Sequence, residues 1–381
     1  MPDLTALARD AVGLTRELIR IPSLNPPGDE EQCARFTAEL LQANGFQVRL
    51  HSFGPRRFNL VADLPGQGGG LPLGFTGHFD TVPLGNAPWS FDPHAGQEAE
   101  GKLYGRGSSD MKAGIAAFIA ACVEAREDLQ RSGGLHMVLT GGEETGCDGA
   151  KALAAEGHTL LRPVRLLLVG EPTCNYPYIG HKGALWLAGV ATGKTAHGSM
   201  PEQGDNAIYK LARAINKLQA FQMPEQHALM GKPSLNVGTV RGGLNVNSVP
   251  DRAQFELDIR TVPGMEHGCL CEYIAEFLGD EIALSTIVDV PALSTPGEDD
   301  SVRRIFEICA PYHAGGIVAR SVPYFTDGSV LVPAVGNPPT VILGPGELQM
   351  AHKTDEYCVI ERVRQAKEIY RSILLDAQLN R

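Results

Sequence analysis

Apolar residues in the first part of the chain form short continuous runs that end in polar residues and alternate with amphipathic stretches. The runs "LPLGFTGH", "GLHMVLT" and "VRLLLV" predict strands, and the amphipathic stretches predict helices over residues 4–20 and 112–129. Continuous apolar runs are typical of strands covered on both faces of a mostly parallel sheet. The pattern therefore predicts an α/β domain with helices on both faces of the sheet.

The order of the predicted elements changes near residue 178. From there it is strand, helix, strand, strand, helix, strand, with helices at 206–221 and 266–278. This order predicts a small α+β domain of ferredoxin-like type. The first pattern resumes after residue 291 with a helix at 301–310, the strands "GGIVARSV" and "PTVILGPG", and a closing helix at 355–375. We therefore predict a larger discontinuous domain, residues 1–177 and 293–381, with a second domain inserted at 178–292.

Composition narrows the class of protein. The 381 residues can form two domains, and 33 basic against 44 acidic residues give a net charge of −11, which disfavours a nucleic-acid or anionic-membrane surface. The eight cysteines show no Cys-x-x-Cys pair, which is typical of reduced thiols in a cytoplasm. The first residues mix acids and bases without the apolar segment of a signal peptide or membrane span. We expect a soluble cytoplasmic protein.

The segment "GHFDTVP" places His78 and Asp80 at the end of a predicted strand. Residues two apart on an extended chain point the same way, so the Asp80 carboxylate could hold one imidazole nitrogen while the other faces a metal ion. A single His-x-Asp pair is also common in turns and surface hydrogen bonds. The motif alone leaves both interpretations open.

Further polar residues follow the other predicted strands of the larger domain: Asp110, Glu143 and Glu144, Glu171, and His352. Taken singly, Asp110 could cap a helix and the paired glutamates could enrich the first turn of one. Together, two histidines and three carboxylates at one crevice are a suitable ligand set for two divalent metal ions, with nitrogen and oxygen ligands and no thiolate.

These motifs resemble, over nearly the whole chain, the family of zinc-dependent aminoacylases, acetylornithine deacetylases, succinyl-diaminopimelate desuccinylases and carboxypeptidase G. The resemblance implies two zinc ions, with cobalt or manganese as possible substitutes, and a cis peptide after Asp110. It assigns His78 and Glu171 to one ion, Glu144 and His352 to the other, Asp110 to both, Glu143 as general base and Asp80 as the residue that orients His78.

The inserted domain carries a matching segment, "AHGSMPEQGDNAI". The resemblance implies that His197 in this segment reaches the active site of a neighbouring subunit, and that the protein is a homodimer joined through the inserted domain. Asn247 and Arg260 resemble binders of the substrate carboxylate, although a surface salt bridge is an equal alternative for Arg260.

Two segments depart from the family pattern. Gly142 stands where an acidic residue often precedes the glutamate pair, and "VPYFTDGS" lacks the glycine run common in desuccinylases. Thr326 and Gly328 in the second segment, with Tyr324, could border a substrate pocket or only pack a loop. Both departures concern the identity of the substrate.

The sequence therefore predicts a dinuclear zinc amidohydrolase that cleaves the amide of an N-acyl amino acid. A dipeptidase or carboxypeptidase with the same site is the alternative among enzymes. An inactive metal-binding scaffold is the alternative of another class, and the intact Glu143 argues against it. The residues do not rank acetyl, succinyl, aromatic acyl and aminoacyl groups.

Overall fold

The chain folds into two units, one of which is inserted into the other. The computed structural model describes residues 3–223 and 225–379. The first unit consists of the residues up to Gly180, Ser294–Ser321 and the residues from Thr326 onward, and the second consists of His181–Leu293 and Val322–Phe325. The short Val322–Phe325 segment falls in the stretch that the sequence assigned to the larger domain. It groups with the second unit because Val322 pairs with His181 and Phe325 contacts Trp186.

The secondary structure alternates between strands and helices along the chain. The strands are β1 (Gln47–Gly54), β2 (Arg57–Pro65), β3 (Leu73–His78), β4 (Gln97–Ala99), β5 (Lys102–Tyr104), β6 (Gly134–Thr140), β7 (Leu166–Val169), β8 (Gly180–His181), β9 (Gly183–Thr192), β10 (Ser234–Gly242), β11 (Arg252–Thr261), β12 (Ile282–Val290), β13 (Leu293–Ser294), β14 (Thr340–Ile342) and β15 (Tyr357–Val359). The α-helices are α1 (Leu4–Leu7), α2 (Ala11–Ile19), α3 (Glu31–Ala43), α4 (Ala113–Glu124), α5 (Arg126–Arg131), α6 (Asp148–Ala155), α7 (Ala207–Gln219), α8 (His267–Leu278), α9 (Asp300–Cys309), α10 (Gly328–Ala334) and α11 (Ile360–Leu375).

The first unit is built on a six-stranded sheet in the order β1, β2, β6, β3, β7, β14. The last four strands run parallel, and β2 pairs antiparallel with both β1 and β6. His78 at the end of β3 pairs with Thr140 at the end of β6, and Thr76 pairs with Val169 at the end of β7. The loops that follow three neighbouring strands therefore start at one edge of the sheet, where α/β proteins place their sites.

An apolar helix packs close to this edge. Phe118 of α4 stacks on Phe75 of β3, with ring centroids 3.8 Å apart, and Tyr370 of α11 meets the same ring edge-on. Gly114 of α4 has no side chain because a Cβ there would lie 2.0 Å from the carbonyl oxygen of Gly170. This close approach fixes the end of β7 directly before Glu171.

The second unit has a four-stranded antiparallel sheet in the order β10, β11, β9, β12. Helices α7 and α8 cover one face and form a core with side chains such as Leu187, Phe255 and Ile274. The other face carries partly exposed polar and aromatic side chains, including Trp186 and Arg260. The predicted architecture, a mostly parallel α/β domain with an inserted α+β domain, is confirmed.

Several element predictions differ from the structure. The predicted strand "GGIVARSV" is an irregular segment because its backbone groups bond elsewhere: Val318 exchanges two hydrogen bonds with the Tyr176 hydroxyl, and Arg320 accepts one from Ile179. The predicted first helix is divided into α1 and α2, since Asp10 caps α2 by accepting a hydrogen bond from Gly13. The predicted helix over 112–129 is likewise divided into α4 and α5.

The closing helix begins at Ile360 rather than at residue 355, because Tyr357–Val359 pairs with β5 instead. Among the residues that the structure describes, no helix combines the length and the apolar character needed to cross a bilayer.

Candidate metal centre

His78 is held at the end of β3 with one ring nitrogen bonded to the backbone and the other facing carboxylates. Its Nδ1 lies 2.8 Å from the backbone oxygen of Asp80, and its Nε2 lies 3.2 Å from Oδ1 of Asp110 and 3.7 Å from Oε1 of Glu171. The bond to the carbonyl fixes the tautomer, so that Nε2 is the nitrogen available to a metal ion.

The Asp80 carboxylate contacts more than the imidazole. Its Oδ1 lies 3.6 Å from Nδ1 of His78, farther than the backbone oxygen. Oδ1 accepts a hydrogen bond from the backbone N–H of Glu143, and Oδ2 accepts one from that of Glu144, both at 3.2 Å. Asn25 donates a further bond to it at 2.8 Å. Asp80 therefore anchors the turn that carries the glutamate pair as well as the end of β3, a role that the sequence did not indicate.

Asp110 lies in a short turn at Ser108–Lys112 that leads into α4, and its peptide bond to Met111 is cis. Its two carboxylate oxygens face opposite ways: Oδ1 faces His78, and Oδ2 lies 3.4 Å from Nε2 of His352. One carboxylate thus lies between two imidazoles.

The glutamate pair follows β6 in a turn stabilised by its own backbone. Glu143 accepts backbone hydrogen bonds from Gly146 and Cys147, and Gly142 has a positive φ of 76°. A side chain at Gly142 would be strained and would meet Arg57 Nη2 at 2.7 Å. The positive φ and the lack of space explain why this chain has glycine at position 142, where the family often has an acidic residue.

His352 closes the cluster from a loop, where it adopts a positive φ of 65°. Its Nε2 lies 2.9 Å from Oε2 of Glu144. Two groups of three residues therefore have ligand atoms within 4.8 Å of one another: His78, Asp110 and Glu171, and Asp110, Glu144 and His352. Asp110 belongs to both groups.

Burial of so many acidic groups shifts their pKa values. Burial raises the pKa of Glu143 and Glu171 well above the usual value, and it raises that of Glu144 to about 7, with the charge of Asp110 adding to the effect. Hydrogen bonds to Asp110 and Glu144 raise the pKa of His352 to about 10. Buried negative charge is unfavourable unless cations compensate it.

For the two remaining ligand candidates, hydrogen bonding outweighs burial. Burial by itself would lower the pKa of His78, but bonds to Asp110 and Asp80 raise it well above its usual value. Burial would raise the pKa of Asp110, but bonds to His352 and His78 hold it well below its usual range. The carboxylate between the imidazoles is therefore the one that stays ionised most readily.

The residues fit a pair of divalent metal ions. The donor atoms are oxygens and imidazole nitrogens, which suit zinc, cobalt and manganese. Oε1 of Glu144 is buried and has no hydrogen-bond partner among the described residues, whereas its Oε2 faces His352. Buried polar atoms in proteins are nearly always satisfied, so an atom of this kind is consistent with a metal ligand.

The candidate residues of the second unit lie at two places. His197 and Asn247 are exposed and adjacent in space, since His197 pairs with Ser248 and the N–H of Gly198 bonds the oxygen of Asn247. His197 Nδ1 lies 2.7 Å from Ser199 Oγ. Arg260 lies on β11 and forms an ion pair with Asp258 at 2.9 Å.

Thr326 and Gly328 are buried in the first unit. The Thr326 side chain is fully buried, and its hydroxyl accepts a hydrogen bond from the N–H of Gly328 at the start of α10. These contacts favour loop packing, the alternative that the sequence left open for this pair.

Two buried carboxylates near the cluster were missed by the sequence analysis. Glu356 accepts hydrogen bonds from the backbone N–H groups of Ser109 and Asp110, and Asp327 accepts one from the hydroxyl of Thr140 at the end of β6. Burial raises the pKa of Asp327 to about 6, and its Oδ1 has no partner among the described residues. The only signal for Asp327 was its place between Thr326 and Gly328 in "FTDGS".

Comparison with known proteins agrees with this geometry. The profile of peptidase family M20/M25/M40 matches residues 74–376. The chain belongs to this family. The resemblance found in the sequence is confirmed, and it places the chain among metal-dependent enzymes that hydrolyse amide or peptide bonds.

Similar M20 relatives differ in their named reactions. A probable succinyl-diaminopimelate desuccinylase of Staphylococcus epidermidis is 30% identical over 96% of this chain and 97% of its own. An acetylornithine deacetylase of Proteus mirabilis is 30% identical over 94% of each chain. A metallo-carboxypeptidase of the M20 family from Sulfolobus solfataricus shares the fold, with a TM-score of 0.79 and 18% identity over 96% of this chain and 98% of its own.

Proposed function

We propose that this M20 enzyme is a dinuclear zinc amidohydrolase that cleaves the amide bond of an N-acyl amino acid. The observation that carries the proposal is the position of Asp110 between His78 and His352, in two ligand groups that share it. Glu143 follows β6, directly before the ligand candidate Glu144, but belongs to neither group. The buried Glu143 carboxylate is therefore not needed as a ligand and can take part in proton transfer.

Two bound metal ions would supply a water of lowered pKa and a positive charge that polarises the amide carbonyl. Glu143 accepts the proton of the attacking water as the new carbon–oxygen bond forms, and it then donates that proton to the amine nitrogen as the carbon–nitrogen bond breaks. Its buried position, which raises its pKa, suits a group that must act first as base and then as acid.

Asp80 acts on this chemistry through its neighbours. Its backbone oxygen holds His78 Nδ1, and its carboxylate holds the N–H groups of Glu143 and Glu144. One residue thereby fixes the spacing between a ligand of the first group, a ligand of the second, and the base. Removing a partner of this kind usually costs about 10–100-fold in metal affinity or activity.

The named reactions of the relatives and two side chains of the second unit support this substrate class. Succinyl-diaminopimelate desuccinylase and acetylornithine deacetylase, named among the relatives, both act on N-acyl amino acids. We assign Arg260 and Asn247 to the free carboxylate of such a substrate, because a guanidinium and an amide both donate to carboxylate oxygens.

A peptidase reaction is the second candidate, since the fold is shared with a metallo-carboxypeptidase and the same groups would cleave a peptide bond. An inactive scaffold would not need a base, and Glu143 is present and buried. We therefore propose an enzyme, whether its substrate is an N-acyl amino acid or a peptide.

We further propose a homodimer joined through the second unit, with His197 acting in the partner's active site as a donor to the developing oxyanion. β10 is an edge strand, and in the loop after it Leu244 is 95% exposed and Val246 is 101% exposed. Exposed apolar side chains beside an unpaired strand edge favour association with a second copy. The free state of all eight cysteines supports a cytoplasmic location.

A substrate panel tests the proposal. Purified protein is loaded with zinc, cobalt or manganese and assayed with acetyl, succinyl, aromatic acyl and aminoacyl derivatives of several amino acids. Metal-dependent release of free amino acid from at least one N-acyl amino acid is the expected result. Hydrolysis of dipeptides alone would support the peptidase alternative, and turnover of no member by fully loaded protein would contradict the proposal.

A further inference from the structure

The open face of the sheet in the second unit carries a connected group of polar and aromatic side chains. Trp186 Nε1 donates to Asp258 Oδ1 at 2.9 Å, and Asp258 in turn pairs with Arg260. The guanidinium carbon of Arg260 lies 6.0 Å from the centre of the Phe325 ring. We call Trp186, Asp258, Arg260 and Phe325 the shelf.

The strand register places the shelf residues side by side. Asp258 of β11 is directly opposite Trp186 of β9, and Arg260 is two residues further along β11 on the same face. Leu257, before Asp258, and Ile259, between Asp258 and Arg260, point into the helix-covered core. Because the period of a strand is two residues, this register aims the Arg260 side chain along the open face.

Only one edge of the Arg260 guanidinium is occupied. Oδ1 of Asp258 lies 2.9 Å from Nε of Arg260. Oδ2 of Asp258 accepts hydrogen bonds from Nε at 3.2 Å and from Nη2 at 3.1 Å. Among the described residues, Nη1 has no hydrogen-bond partner. The edge formed by Nη1 and the outer proton of Nη2 therefore stays available, in the geometry that binds a carboxylate with two parallel bonds.

The aromatic rings restrict the guanidinium from the side. Phe325 lies within cation–π distance of it, and Trp186 meets Phe325 at a centroid distance of 6.4 Å and an angle of 74°. Trp186 thus contacts both residues that touch Arg260, one by a hydrogen bond and one by an edge-to-face ring contact.

We propose that Asp258 and Trp186 are positioning residues that hold Arg260 with its free edge toward the substrate carboxylate. This inference rests on the proposed function, in which Arg260 binds that carboxylate. Asp258 offsets the charge of Arg260, so recognition depends on the two-bond geometry more than on net charge. The shelf then selects substrates with a free planar carboxylate over amides and esters of the same compounds.

The first test measures the position of Arg260 without any substrate. In the intact protein, nitrogen-15 NMR of the arginine Nε–H groups, assigned with Arg260→Lys, follows the exchange of the Arg260 Nε proton with water. Asp258→Asn should accelerate that exchange about tenfold or more, as expected when a hydrogen bond to a charged acceptor is lost. Glu256→Gln is the matched control, because Glu256 lies on the same face of β11 but bonds Thr239. Equal exchange in all three proteins would overturn the inference.

The second test compares N-acyl amino acids with their carboxamides in zinc-loaded protein. Asp258→Asn and Trp186→Phe should raise KM for the carboxylates about tenfold with little change in kcat, the effect of losing one bond of a two-bond pair. Neither variant should alter KM for the carboxamides. A merely structural role would change both substrate series alike, and that result would overturn the inference.

The two tests separate this inference from the proposed function. If wild-type protein hydrolyses no N-acyl amino acid, the proposed function fails, while the exchange measurement still decides whether Asp258 holds Arg260. If wild type is active and Asp258→Asn behaves like Glu256→Gln in both tests, the shelf fails and the proposed function stands.

Discussion

Glu356 offers a strong test of how this fold positions its candidate metal ligands. The Glu356 carboxylate is fully buried and accepts hydrogen bonds from the N–H groups of Gly107 at 2.9 Å, Ser109 at 2.8 Å and Asp110 at 3.0 Å. It also pairs with the buried Arg106 at 2.6 Å. Glu356→Gln keeps the size of the side chain but removes the charge and replaces one acceptor oxygen by a donor.

The expected loss of stability is large. Breaking a buried ion pair by removing one partner costs about 3–5 kcal/mol, because the other charge stays buried. Arg106 keeps bonds to the carbonyl oxygens of Pro83 and Lys353, which limits the loss. We therefore expect Glu356→Gln to lower the free energy of unfolding by roughly 3 kcal/mol, against a typical total of about 5–15 kcal/mol.

Urea unfolding of metal-free protein measures this loss, and competition with a chelator measures zinc affinity. Because Glu356 accepts a hydrogen bond from the backbone N–H of Asp110, the zinc affinity of folded Glu356→Gln protein should be about 10–100-fold lower than that of wild type. Glu361→Gln is the control, since Glu361 lies on α11 in an exposed pair with Arg364 and surface pairs contribute about 0–1 kcal/mol. A loss below about 1 kcal/mol in Glu356→Gln would show that the buried Glu356–Arg106 pair does not stabilise the fold more than a surface pair does.

Glu143→Ala should keep two metal ions per chain but lose several orders of magnitude in turnover, whereas Glu144→Ala should lose one ion. Measurement of the metal content of each variant checks both expectations. Loss of one ion from Glu143→Ala, with two ions kept in Glu144→Ala, would mean that Glu143 is the ligand and Glu144 the base. Burial lowers the pKa of His181 from 6.5 to about 4, so the unfolded chain binds more protons between these values. The stability that neutral His181 contributes is then fully present above pH 6.5 and falls as the pH drops toward 4. Between these pH values the free energy of unfolding should depend less on pH in His181→Asn than in wild type, and an equal pH dependence in both proteins would contradict the assignment. Mixing His197→Ala with Glu143→Ala subunits should restore activity toward half of wild type, and no recovery after proven subunit exchange would exclude action in trans.

The positions of the candidate ligands could be predicted from the sequence because parallel strands end at one edge. His78, Glu143, Glu144 and Glu171 each follow an apolar run, and the strand order brings those ends together. Asp110 and His352 were also expected to follow strands, but in the structure Asp110 lies in the Ser108–Lys112 turn and His352 in a loop, and both still reach the cluster.

The partners that hold these ligands could not be predicted. Glu356 bonds Asp110 across 246 positions of the sequence, and no periodicity connects residues so far apart. The stretch "GGIVARSV" is rich in β-branched residues, but Tyr176 takes the backbone bonds of Val318 that a neighbouring strand would need. For Arg260, the salt bridge and the carboxylate-binding role were treated as alternatives, although the ion pair occupies only one edge of the guanidinium.

Anomalous X-ray diffraction from crystals of zinc-loaded protein, recorded at the zinc absorption edge, would locate the metal ions and their ligands. We expect two zinc peaks per chain, one bound by His78 and Glu171, the other by Glu144 and His352, with one oxygen of Asp110 on each. A single peak after full loading, or two peaks of which only one contacts Asp110, would contradict it.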